Sequence, residues 1–137
     1  MYNIRQGLFE TNSSSADVFC IPKNPSLKIP KEIKMSRLMT HTYSLEETAS
    51  MEDKLAFMYN KAEDEGNAAD FLQYLTNKGI NVINDVGNTF EFDSYMFGYY
   101  MEQKSLDAFL FDPNSMYLHT LEDEEYKKDF IVLKCRR

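Results

Sequence analysis

The central part of the chain, residues 44–79, reads SLEETASMEDKLAFMYNKAEDEGNAADFLQYLTNKG and predicts a pair of helices. The first helix is predicted over residues 44–65, and Gly66 supplies its C-terminal cap. Ser44 and Ser50 each begin a capping-box pattern, so this helix has two candidate starting points. Its buried face consists of residues that recur at helical spacing, namely Met51, Leu55, Met58 and Ala62.

A second helix of about twelve residues follows after a very short turn, with Asn67 at its N-terminal cap. Gly79 ends this helix, and its inward-facing residues are Phe71, Leu72 and Leu75. The helix pair therefore occupies residues 44–78.

Short apolar segments bounded by Gly, Pro, Asn and Asp lie on both sides of the helix pair and predict strands. The predicted strands cover residues 16–21, 80–83, 89–92, 106–111, 116–120 and 130–135. Turns at residues 86–89 and 112–115 join two pairs of them into hairpins. Residues 121–128 predict a short acidic helix. The fold class is therefore α+β: a single domain with a small, mainly antiparallel sheet of hairpins packed with two central helices.

Within that single domain of 137 residues, four regions follow in order. Residues 1–22 form an N-terminal loop and strand, and residues 23–42 form a Pro-containing basic connector. The helix pair comes next, and residues 80–135 are rich in strands. Residues 31–42 fit a short helix or a strand, and residues 95–102 leave the same two alternatives open.

Charge is distributed in blocks along this acidic chain, whose net charge is −7. Residues 41–125 carry eighteen acidic and four basic groups, whereas the two ends are basic. One interpretation is a solvated surface that only keeps the protein in solution. The other is a negative surface that repels nucleic acid and binds a basic protein groove. The residues that would form this surface are Glu46, Glu47, Glu52, Asp53, Glu63, Asp64 and Glu65.

Motifs for cofactor or metal chemistry are missing from the sequence, so no cofactor, metal site or catalytic residue is predicted. No segment approaches the roughly 18 apolar residues of a membrane span, and we expect a cytoplasmic protein. Cys20 and Cys135 each lie in an apolar segment and are expected to be buried thiols. His41 and His119 are the only imidazole bases that the sequence offers.

The N-terminal segment contains a run of small polar residues that predicts a loop, Asn12, Ser13, Ser14 and Ser15. Together with Arg5, this loop is a candidate anion-binding site through its backbone N–H groups. The alternative is a polar loop that caps a neighbouring element.

Residues 5–15, Arg-Gln-Gly-Leu-Phe-Glu-Thr-Asn-Ser-Ser-Ser, resemble the N-terminus of a group of uncharacterised proteins from bacteriophages and Firmicutes. In that group a histidine commonly follows the serines, and Asp17 stands at the corresponding place here. The resemblance covers about a tenth of the chain and implies a phage or mobile-element origin in a Gram-positive host.

Small acidic phage proteins frequently block a host protein, as anti-CRISPR proteins do. The leading hypothesis is therefore a non-enzymatic accessory protein that inhibits a host CRISPR or other defence nuclease through its acidic surface. Under this hypothesis we expect that the protein binds neither nucleic acid directly nor a membrane. The alternative hypothesis is a small enzyme that acts on a nucleotide or nucleic acid through the serine loop, with His119 or a carboxylate pair as the catalytic group.

Overall fold

A computed structural model of the chain describes residues 16–42, 44–46, 49–87, 102–118 and 130–136. The elements, in chain order, are β1 (Ala16–Pro22), β2 (Glu32–Lys34), α1 (Met35–Leu38), α2 (Met51–Asp64), α3 (Ala68–Asn77), β3 (Asn81–Ile83), α4 (Gln103–Phe111), β4 (Met116–Leu118) and β5 (Phe130–Arg136). This mixture of helices and small sheets confirms the α+β class. None of the helices in these ranges is both long and apolar enough to cross a membrane.

The described residues form two compact units that interleave along the chain. Unit 1 contains residues 16–27, 45–46, 49, 102–118 and 130–136. Unit 2 contains residues 28–42, 44 and 50–87. The predicted helix pair lies in unit 2, except for residues 45–49 at its predicted start.

Unit 1 is an antiparallel sheet in the order β4-β1-β5, with α4 packed on one face. β1 is the central strand, and its alternate residues point to opposite faces. Phe19 lies on the α4 face, opposite Tyr117 and Leu133 of the neighbouring strands. Val18, Cys20 and Leu118 form a cluster on the other face, so β1 is buried on both sides. Cys20 is a buried thiol, as predicted.

Unit 2 is built around α2, which packs against α1 and α3. All seven residues from Lys54 to Asn60 are buried, so the middle of this helix is enclosed on every side. The side-chain amide of Asn60 donates to the backbone oxygens of Thr40 (2.6 Å) and Ala56 (2.7 Å) and ties the preceding loop to α2. The strands β2 and β3 pair in parallel beside these helices.

The helix pair was predicted correctly at three of its four ends. Gly66 and Gly79 each follow a helix with φ near +80°, a conformation that glycine adopts without strain. At both ends the glycine N–H and the next N–H bond back into the last helical turn. At Asn67 the second helix begins as predicted, but the Asn67 side chain makes no capping hydrogen bond.

The start of the first helix decides between the two capping patterns. α2 begins after Ser50, whose hydroxyl oxygen accepts a hydrogen bond from the Asp53 N–H at 3.2 Å. The alternative start at Ser44 is wrong, because Leu45 is buried in unit 1 and residues 44–46 are not helical.

Replacing Ser50 with alanine is expected to lower the free energy of unfolding by about 1 kcal/mol, the usual value of an N-terminal cap. Ser44→Ala is the matched control and is expected to change stability by less than about 0.5 kcal/mol, since Ser44 is exposed and outside the helix. Urea unfolding followed by circular dichroism measures both values. Equal losses in the two variants would contradict the assignment of the cap.

Four strand predictions were right, β3 among them, and one was wrong. β1, β4 and β5 match predicted strands, and β4 begins after the predicted turn at residues 112–115. Residues 106–111 were predicted as a strand but belong to α4. Leu106, Phe109 and Leu110 occupy helical positions i, i+3 and i+4, and the high apolar content of this short segment concealed the spacing.

Two further predictions concern strands β2 and β3. The segment that fitted either a helix or a strand contains both, since β2 leads directly into α1. β3 confirms the strand predicted after the helix pair, and among the described residues its partner is β2. The hairpin partner at 89–92, the segment 95–102 and the acidic helix at 121–128 lie outside the described residues almost entirely.

Candidate functional site

Part of the predicted site lies outside the described residues. This applies to the whole candidate anion-binding loop, Arg5 with Asn12, Ser13, Ser14 and Ser15, and also to Glu47 and His119. Those predictions stay predictions. The other six predicted partner-binding carboxylates belong to described residues, and the structure separates them into three groups.

The five carboxylates that lie in unit 2 do not form one continuous surface. Glu46 is exposed and belongs to unit 1, whereas the other five belong to α2 or its cap in unit 2. Glu52 and Glu63 lie at opposite ends of α2, about 16 Å apart along its axis. The buried residues 54–60 lie between these two ends, so the acidic residues of α2 form two separate groups.

The N-terminal group, Glu52 and Asp53, is partly neutralised within unit 2, where one guanidinium faces both carboxylates. The Arg37 guanidinium of α1 lies 3.4 Å from a Glu52 carboxylate oxygen and 3.0 Å from Asp53 Oδ1. Both carboxylates also lie in the first turn of α2, where the helix dipole favours negative charge. Their presence therefore has a structural explanation.

The C-terminal group lies where α2 turns into α3, and we name it the acidic corner: Glu63, Asp64, Glu65 and Asp70. The first three are exposed, and Asp70 is half-buried in the first turn of α3. Lys61 is the only basic residue in the sequence from 61 to 70. Its ammonium lies 5.2 Å from the centre of the Phe57 ring.

Glu63 and Asp64 oppose the electrostatics of their own helix. They occupy the last turn of α2, where unsatisfied carbonyl oxygens make the dipole negative and favour cations. Each such carboxylate costs a few tenths to about 1 kcal/mol. Helix stability therefore explains Glu52, Asp53 and also Asp70 in the first turn of α3, but it does not explain Glu63 and Asp64 in the last turn of α2.

Tyr59 orients one carboxylate of the acidic corner. Its side chain is buried one turn before Glu63 and is hydrogen-bonded to the Glu63 side chain. Burial raises the pKa of Tyr59, and the neighbouring Glu63 charge and hydrogen bond raise this pKa further. Tyr59 thus stays a neutral O–H donor to the Glu63 side chain at physiological pH.

A groove with a volume of about 500 Å³ lies elsewhere in unit 2, at the C-terminal end of α3. Its apolar lining comes from Met35, Leu72, Ile80 and Val82. Its polar lining comes from Thr76, Asn81 and Asn84, and Gly79 lies at its surface. Among the described residues, none that lines this groove carries a charge.

A hydrogen-bonded pair beside the groove joins α1 to the loop after β3. Asp85 Oδ1 accepts from the Ser36 N–H at 2.9 Å, and the Ser36 hydroxyl donates to Asp85 Oδ2. The two residues directly follow Met35 and Asn84, which line the groove. This pair therefore fixes the positions of two lining residues. The Ser36 hydrogen bonds also hold the pKa of Asp85 below its ordinary value of 3.8.

The Asp85 contribution to stability is expected to depend on pH. Because the folded state lowers the pKa of Asp85, this contribution is complete above pH 3.8 and is lost as the pH falls through the folded-state pKa. The difference in unfolding free energy between wild type and Asp85→Asn should therefore be larger at about pH 6 than at about pH 2.5. Urea unfolding at both pH values measures it. A difference that does not change with pH would contradict this role.

No cluster of three or more His, Cys, Asp or Glu side chains suited to a metal ion occurs in the described part of the chain. His41 is exposed, between α1 and α2. Comparison of the chain with protein-family models, with curated proteins and with solved structures finds no match.

Sequence analysis did not identify three features of unit 2: the Arg37 ion pairs, the Ser36–Asp85 pair and the groove. Arg37 is 15 and 16 residues from its partners, and Ser36 is 49 residues from Asp85. Pairs so far apart leave no periodic signal in a single sequence. The unfavourable helix dipole at the acidic corner, in contrast, could be predicted from the sequence. The helix end predicted at Gly66 already places Glu63 and Asp64 in the last turn.

Proposed function

We propose that the protein is a non-enzymatic binding protein that uses the acidic corner to engage a basic groove on a partner protein. The partner best suited to this surface is a CRISPR or other defence nuclease of a Gram-positive host, whose groove otherwise holds nucleic acid. Such grooves carry dense positive charge to bind phosphates. The carboxylates of the corner would occupy the places of those phosphates and inhibit the nuclease.

The observation that carries this proposal is the contrast between the two ends of α2. Glu52 and Asp53 are held by Arg37 and favoured by the helix dipole. Glu63 and Asp64 are exposed, oppose the dipole and have one neighbouring cation in sequence, Lys61. Charges that cost stability and face water support a role in binding, because function is a common reason for retaining an unfavourable group.

Electrostatic screening restricts the proposed binding surface to the acidic corner. Glu63, Asp64 and Glu65 are consecutive, so their Cα atoms lie within about one Debye length of each other, which is about 8 Å at physiological ionic strength. The group at Glu52 lies about two Debye lengths away. It therefore adds little to the field that a partner meets at the corner.

The test is cleavage of a DNA target by a purified CRISPR nuclease in the presence of increasing amounts of the protein. The triple variant Glu63→Gln, Asp64→Asn, Glu65→Gln should lose inhibition by at least about tenfold, since close charge pairs at interfaces are commonly worth more than 1.4 kcal/mol. The Glu63→Gln change keeps a side-chain oxygen that can accept from the Tyr59 hydroxyl, so the fold should be retained.

The matched control is the double variant Glu52→Gln, Asp53→Asn, which removes charge from the same helix at its other end. It should inhibit within about twofold of wild type, because Arg37 already pairs with both carboxylates and offsets part of their charge in the folded protein. Equal inhibition by the wild type and the triple variant would contradict the proposal. So would a larger loss in the double variant than in the triple variant.

A further inference from the structure

The uncharged groove of unit 2 is a second candidate site, independent of the acidic corner. Its volume of about 500 Å³ falls within the usual range for small-molecule sites. In a chain with 27% charged residues, the described residues that line this groove carry no ionisable side chain. The nearest carboxylate along the chain, Asp85, accepts two hydrogen bonds from Ser36.

The polar groups of the groove suit a ligand that both donates and accepts hydrogen bonds. Asn81 and Asn84 are carboxamides, each with an acceptor oxygen and a donor nitrogen. The Thr76 hydroxyl donates to the Leu72 backbone oxygen at 3.0 Å, which leaves its oxygen as an acceptor. Leu72 and Ile80 supply the apolar wall between these groups.

We propose that this groove binds a small uncharged ligand with an apolar ring or chain and an amide-like edge. The apolar body would rest on Leu72 and Ile80, and the edge would pair with the Asn81 carboxamide and the Thr76 hydroxyl oxygen. A charged ligand is disfavoured, because it would lose its hydration on binding. The described residues of the lining offer no opposite charge to compensate for that loss. The Ser36–Asp85 hydrogen bonds hold the backbone directly after Asn84, at one side of the groove.

Three probes of nearly identical shape distinguish this site from a non-specific surface: neutral benzamide, anionic benzoate and cationic benzamidinium. Amide NMR spectra of the full chain are recorded as each probe is added. From the usual binding efficiency of ligands per non-hydrogen atom, benzamide should bind with a Kd of about 10 mM. It should shift the resonances of Thr76, Ile80, Val82 and Asn84. Benzoate and benzamidinium should bind at least about fivefold more weakly.

Two variants assign the binding to the groove. Thr76→Trp fills the groove and should abolish benzamide binding, whereas Asn77→Trp, on the neighbouring residue of α3, should leave it unchanged. Asn84→Asp adds a carboxylate to the lining and should reverse the preference toward benzamidinium. Because Asn84 is exposed, this variant keeps the test valid if Thr76→Trp fails to fold.

Resonance shifts that do not saturate as benzamide is added would overturn the proposal. So would an equal effect of Asn77→Trp and Thr76→Trp on benzamide binding. Equal affinity for the three probes would also overturn it. Each of these results concerns the groove alone and leaves the proposal for the acidic corner unaffected, since no residue is shared between them.

Discussion

Replacing Phe19 with alanine is expected to lower the free energy of unfolding by about 3–5 kcal/mol, the range for removing a large aromatic side chain from a packed core. Phe19 is fully buried in the central strand of unit 1. Its ring meets Phe109 of α4 edge-on at 4.7 Å and Tyr117 of β4 at 5.7 Å. The substitution therefore removes buried apolar area and two aromatic contacts, and it leaves a cavity between sheet and helix.

The matched control for Phe19 is Ile131→Ala, on the same face of the same sheet. Ile131 in β5 lies opposite Ile21 in β1 and is 46% exposed. Its replacement should therefore lower the free energy of unfolding by less than about 1 kcal/mol. Chemical unfolding monitored by tyrosine fluorescence measures both changes. A cost below about 1.5 kcal/mol for Phe19→Ala, or equal costs in the two variants, would show that the core of unit 1 is not packed as described.

Replacing Asp112 with alanine is expected to lower the free energy of unfolding by about 2–4 kcal/mol, because a buried carboxylate that accepts two backbone hydrogen bonds is lost. Asp112 is 2% exposed and follows α4. Its side chain accepts from the Ser26 N–H and from the Asn114 N–H, both at 2.8 Å. The alanine variant leaves these donors without an acceptor and releases residue 26 from the turn.

Two comparisons test the explanation for Asp112. Asp112→Asn keeps one acceptor oxygen and should cost roughly half as much as the alanine variant. Asp64→Ala removes an exposed carboxylate and should change stability by no more than about 0.5 kcal/mol. Equilibrium unfolding in urea gives all three values. Equal stability of the alanine and asparagine variants would show that the hydrogen bonds are not the cause.

Local signals in the sequence predict the fold well where a residue type has one physical use. Gly66 and Gly79 end helices because they adopt positive φ, and Pro113 takes the second position of the turn after Asp112. Ser44 and Ser50 were equivalent as caps in the sequence. The burial of Leu45 in unit 1 decided between them, and that is a tertiary fact that local patterns do not contain.

Predictions from the sequence were weaker where an apolar run or a distant partner decided the structure. Residues 106–111 are apolar enough for a buried strand or a buried helix, and periodicity does not separate the two. The parallel pairing of Ile33 with Val82 joins residues far apart in sequence. The acidic residues of α2 were predicted as one surface, because nothing local indicates that Arg37 forms ion pairs with Glu52 and Asp53.

The central claim is that the acidic corner, and not the total negative charge, binds a basic partner. The measurement that tests it most directly is the dissociation constant for the CRISPR nuclease as salt rises from about 50 to about 300 mM. We predict that wild-type affinity weakens strongly over this range and that the triple variant of the corner binds weakly with little salt dependence. Salt-independent binding by the wild type, or the same salt dependence in the triple variant, would contradict the claim.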